Sequence, residues 1–166
     1  MPVVLNETYE LLLQTRRRNH IPNELTHMEV WGDNLVVEEY KNKYPSGEHR
    51  PVGPSRKYNC HGLTFACRRT SIDDPKDVLM ILTEDDYQEV QLNNVIRGDI
   101  AVYFVGGIPE HSGIVVEVNK PRLLDEFAIT VPLILSKWGR VQEVIHKPRE
   151  CPGVEGAEIK YFRIIR

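Results

Sequence analysis

Ile100-Ala101-Val102-Tyr103-Phe104-Val105, followed by His111-Ser112-Gly113-Ile114-Val115-Val116-Glu117-Val118, decides how the second half of the chain folds. Both runs are short and rich in β-branched and aromatic residues. Both alternate with a period of two, which predicts strands. Outward from them the same period recurs in Tyr87 to Leu92, Leu133 to Trp138, Val141 to Ile145 and Ile159 to Ile165. The joining loops are tight and carry Gly, Pro or Asn. They are too short for crossovers, so neighbouring strands should run antiparallel. Lys120 to Thr130 is the longer exception, with room for a helical turn.

Before residue 85 the apolar spacing is helical instead. Glu7 to Arg18 suits a helix, with Leu11, Leu12 and Leu13 as its apolar patch and arginines at its C-terminal end. Asp33 to Lys43 is compatible with a second, capped by Asp33 or Asn34 and stopped by Tyr44-Pro45-Ser46-Gly47. A third opens at Cys60. A fourth begins where Asp74 can cap and Pro75 can take the first helical position, with Val78, Leu79, Ile81 and Leu82 as its apolar residues. The expected fold class is α+β, with N-terminal helices packed on an antiparallel, meander-like sheet of five or six strands. One domain is expected over 1–166, made of an N-terminal helical extension, 1–56, and a core, 57–166.

Composition narrows the function. The chain has 166 residues, 41% hydrophobic and 27% charged, with a net charge of −3. That balance gives no global basic field for nucleic acid. No run approaches the length of a membrane helix, and Met1 to Glu7 lacks the pattern of a signal peptide. A cytoplasmic location is expected, or export by a route without a signal peptide. Three cysteines, an odd number, fit a reducing compartment better than a disulfide framework.

The chemistry concentrates in Tyr58-Asn59-Cys60-His61-Gly62-Leu63-Thr64-Phe65-Ala66-Cys67. Cys60 sits at a helix start, where unpaired N–H groups favour a thiolate. His111 opens an apolar strand and can serve as its base. Alternation puts His111, Gly113, Val115 and Glu117 on one face of that strand, with Ser112, Ile114, Val116 and Val118 on the other. Gly113 would leave room for a helix end to approach. Cys67 and Cys151 read as small buried hydrophobes, Trp138 as core or cleft lining, Asp99 as a turn residue, and His61 as structural. A metal site from His111, His146, Glu117 and Cys60 is the minor alternative; no metal or cofactor is expected.

The three segments YNCHGLTFACR, RGDIAVYF and HSGIVVEV together resemble the papain-like NlpC-type and CHAP-type cysteine peptidases and amidases. LSKWGRVQEVIHKP and KYFR resemble a bacterial branch of that group. The resemblance spans 57–165 and implies Cys60 as nucleophile and His111 as general base. It also implies a third polar residue on the next strand, orienting the imidazole. Ser136 is the first choice there and His146 the second. The oxyanion donors would be the Cys60 N–H with the side chain of Tyr58 or Asn59. The implied activity is hydrolysis of a peptide, isopeptide or peptidoglycan-type amide through an acyl-enzyme. Acyl transfer, deamidation, or a non-catalytic binding module on the same scaffold are the alternatives.

Overall fold

The computed structural model describes residues 8–26, 33–50, 55–119, 130–139 and 141–165. Its centre is a seven-stranded antiparallel sheet, with a separate two-stranded sheet made of β1 (Thr8–Tyr9) and β2 (Leu25–Thr26). The large sheet contains β3 (Glu48–His49), β4 (Tyr87–Val90), β5 (Ile100–Val105), β6 (Ile108–Asn119), β7 (Val131–Trp138), β8 (Gln142–His146) and β9 (Glu158–Ile164). Their order is β3-β8-β7-β6-β5-β9-β4. Strands β5 to β8 form a meander, but β9 returns to the free side of β5 and carries β4 outside it. Three short α-helices accompany the sheet among the described residues: α1 (Asp33–Lys43), α2 (Cys60–Phe65) and α3 (Pro75–Glu84).

The expected α+β fold, N-terminal helices on a five- or six-stranded meander, is therefore corrected. The molecule is mostly β, and its sheet is wider and not a simple meander. The six period-two runs all appear as strands. The helix expected over Glu7 to Arg18 does not form in its described part. Three consecutive leucines cannot share one helical stripe, and Leu12 is 81% exposed. The segment instead straps across the end of α3. Thr15 Oγ1 donates to Glu84, Asn19 Nδ2 donates to Glu84, and the Arg16 N–H donates to Asp85. A turn with Arg18 at φ 67° brings it back to pair Gln14 with His20. The helical turn envisaged between Lys120 and Thr130 falls almost wholly outside the described residues.

Helix α3 forms as its sequence dictates. Asp74 accepts the Lys76 N–H, Pro75 fills the first turn, and Val78, Ile81 and Leu82 are buried; Leu79 faces outward. Helices α2 and α3 cover one face of the sheet, where Ala66, Val78, Ile81 and Leu82 pack with Ile100 and Val102. The other face carries Ala101, Tyr103, Val115, Ile134, Trp138, Val144 and Cys151. Tyr40 of α1 and Tyr44 just beyond it meet the Trp138 ring edge-on, at 5.7 and 5.1 Å between centroids.

Candidate active site

The start of α2 is held by Asn59. Its Oδ1 accepts the N–H of Gly62 and of Ile72, and its Nδ2 donates to the Ile72 carbonyl and the Asp73 carboxylate. Gly62 lets the 70–72 loop approach: a Cβ there would lie 1.8 Å from the Thr70 carbonyl oxygen. These contacts fix Cys60 as the first residue of the helix. On the sheet side, Ser112 lies 2.9 Å from both His61 Nδ1 and Thr64 Oγ1. Burial holds His61 down at about 4, so its ring is neutral.

Cys60 lies against β6 near the end of its pairing with β7. The register of β6 with β7 runs from Asn119–Val131 to Gly113–Ser136. The Val115 N–H bonds Asp99 on the β5 side, so strand alternation turns the Ser112 N–H towards β7. That N–H, with the N–H groups of His61 and Cys60 itself, favours the thiolate. Burial nevertheless outweighs these donors and pushes the thiol up to about 11. The activation expected from the helix start is thus reversed at rest. A six-residue helix contributes little field, whereas removal from water penalises the anion directly.

His111 leaves β6 on the opposite face from α2. Its ring lies 5.3 Å from that of its cross-strand neighbour Tyr103. Burial, with His146 and His61 nearby, holds it down at about 3, so it is neutral. Its Nε2 is buried with no hydrogen-bond partner among the described residues. Cys60 lies on the α2 side of β6, its carbonyl 3.4 Å from the Ser112 hydroxyl, while the His111 ring lies on the other side against Tyr103. Gly113 does not admit a helix end, as its position suggested; β7 fills the space. A Cβ there would lie 2.6 Å from Ile134 Cγ2 and 2.7 Å from the Leu135 carbonyl oxygen. A bulge between Val115 and Glu117 also breaks the expected alternation, and Val118 packs on the His111 face.

The two choices for the orienting residue prove to be partners of each other. Ser136 and His146 are fully buried on the His111 face, with Ser136 Oγ 2.7 Å from His146 Nε2. His146 Nδ1 donates to the Lys147 carbonyl, so Nε2 is the acceptor of the Ser136 hydroxyl. Cys151 joins them. It is 4% exposed, and one ring nitrogen from each of His111 and His146 lies within 4.8 Å of its sulfur and of the other. Glu117 and Cys60, the other members of the metal site considered from sequence, are not in this group.

Tyr58 and Asn59 are unavailable as oxyanion donors. The Asn59 amide is committed to its loop, and the Tyr58 hydroxyl donates to Glu143 at 2.7 Å. Glu143 also takes two hydrogen bonds from Arg68, at 2.6 and 3.0 Å. Burial pushes its carboxyl up, but Arg68 and Tyr58 outweigh this and hold it below its ordinary range. Its cross-strand partner Lys137 is 1% exposed, with Nζ 3.9 Å above the Tyr58 ring and donating to the Ser55 carbonyl. A buried Lys–Glu pair beside the Cys60 helix was not foreseen. Its signal was the placement of Lys137 and Glu143 at matched positions about the Gly139 turn, visible once the hairpin register is known.

The remaining sequence-singled residues are structural. Trp138 is core, and Asp99 is buried in a two-bond ion pair with Arg163 while accepting the Ile96 N–H. Cys151 is buried as expected, but Cys67 is exposed, at φ 50° just past the end of α2. A cleft of about 500 Å³ opens elsewhere, between Val90, Pro132, Arg149 and Tyr161, and includes neither Cys60 nor His111. No family model, no curated protein and no solved structure matches the chain.

Proposed function

We propose that the protein is a thiol hydrolase that cleaves an amide bond with Cys60 as nucleophile and His111 as proton acceptor. The observation supporting this reading is the seat of Cys60. Cys60 heads a helix, nearby backbone N–H groups favour its thiolate, and its carbonyl lies 3.4 Å from the hydroxyl of Ser112, the residue that follows His111. Both groups rest neutral. The two side chains start from opposite faces of β6, so the reaction requires a local opening at Ser112 that brings sulfur and imidazole together. The Cys60 proton then passes to the imidazole as the sulfur attacks a carbonyl carbon, and an acyl-enzyme forms. His111 returns the proton to the leaving amine, then takes one from water as the water oxygen attacks the acyl carbon. It gives that proton to the departing Cys60 sulfur as the acid is released. The N–H groups of Cys60 and His61 at the start of α2 are the oxyanion donors. The resemblance of the three motif segments to NlpC-type and CHAP-type enzymes supports a peptide or peptidoglycan-like substrate, with acyl transfer or deamidation as variants of the same chemistry.

Burial of the sulfur favours one other reading, a binding module in which Cys60 only packs. Thiol labelling separates the two. In a Cys67→Ser chain at pH 6, an iodoacetamide-type probe should modify Cys60 well before Cys151, and His111→Ala should slow that reaction at least about 10-fold. Labelling of Cys60 only under unfolding conditions would leave the binding module.

A further inference from the structure

We propose that His111, His146 and Cys151 form a binding site for a soft divalent cation of the zinc class. All three side chains are buried on one face of the sheet, and their candidate ligand atoms lie mutually within 4.8 Å. Two imidazoles and a thiolate are a donor set that zinc accepts, with a fourth position left open. Bond lengths of about 2.0–2.3 Å place tetrahedral ligands about 3.3–3.8 Å apart, so closure from within 4.8 Å requires side-chain movement of at most about 1–1.5 Å.

Two features point to an occupant beyond the mere proximity of the three. His111 Nε2 is buried and unpartnered among the described residues, and so is the hydroxyl of its ring neighbour Tyr103. Leaving such atoms dry is unfavourable, and a bound ion or water removes that cost. His146 is also already oriented as a ligand. Its Nδ1–H is tied to the Lys147 carbonyl, which fixes the tautomer and aims the Nε2 lone pair inward. The Ser136 hydroxyl caps that lone pair, and its rotation releases His146 Nε2. Binding takes the proton from Cys151 and discharges it to solvent.

This site does not rest on the hydrolase reading, since Cys60 is not part of it. If both hold, the cation and the reaction compete for His111, and zinc is an inhibitor. The experiment uses the full chain, tag-free and stripped with chelator, titrated with Co(II). Expected is one equivalent bound with a near-ultraviolet sulfur-to-metal band. That band should vanish in Cys151→Ser and persist in Cys60→Ser and Cys67→Ser. His146→Ala should weaken binding about 100-fold or more. X-ray absorption of the zinc-loaded wild-type chain provides a check free of variants: one sulfur near about 2.3 Å and two nitrogens near about 2.0–2.1 Å. No stoichiometric binding, a first shell without sulfur, or a band that survives Cys151→Ser overturns the site and assigns the pocket to water.

Discussion

Ser136 and His146 satisfy each other across β7 and β8, with hydroxyl and ring nitrogen 2.7 Å apart in a fully buried setting. Neither reaches out to orient His111 as a catalytic triad would require. Ser136→Ala therefore leaves the His146 lone pair dry and should destabilise the fold by about 1–3 kcal/mol, measured by urea denaturation. Under the hydrolase reading, Cys60 labelling should change little. A large loss of labelling with unchanged stability would restore Ser136 to a positioning role.

Gly113 is a packing requirement of the β6–β7 pair. Gly113→Ala drives a methyl into Ile134 and the Leu135 carbonyl, so strands must separate. A stability loss of about 1–3 kcal/mol or more is expected by thermal melting. A wild-type melting temperature would show that the strands are further apart than described here.

Glu143 is the acceptor on which Arg68 and Tyr58 converge, while Lys137 sits against the Tyr58 ring. Glu143→Gln keeps the shape but removes the charge. Lys137 then loses its counterion in a buried setting while water screens the half-exposed Arg68, and about 3 kcal/mol should go. Circular dichroism melts test this. A loss below about 1 kcal/mol would mean that water already screens the cluster.

Acid should unfold the protein steeply. Burial holds His111 at about 3 and His61 and His146 at about 4, against an ordinary 6.5. The unfolded chain takes up protons that the fold refuses. Stability is thus complete above pH 6.5 and falls as pH drops towards 4, by at most about 1.4 kcal/mol per pH unit for each histidine. Urea midpoints at pH 7, 6 and 5 should decline progressively. Midpoints that stay level would mean that these rings are hydrated.

The strands were legible because their alternation is strong and their turns carry Gly or Pro: every run from Tyr87 onward became a strand. The Asp74-Pro75 start of α3 was equally plain. The leucine run at 11–13 misled, because its fate depends on carboxylates of α3 that lie some seventy residues away. The return of β9 to β5 was hidden for the same kind of reason. Nothing local to Ile159–Ile164 says which sheet edge it will choose, and Asp99–Arg163 is what ties the two ends together. At the site, Cys60 and His111 were found from their neighbours in sequence. The sheet face each occupies, and the role of Cys151, needed the register.

Asn59 cannot be exchanged for its acid without harm. Its nitrogen faces a carbonyl and a carboxylate, both of which would repel an oxygen in its place. Spontaneous loss of ammonia from this one amide, as proteins age, would loosen the seat of Cys60. The lifetime of the helix start would then be set by a slow chemical clock inside its own cap.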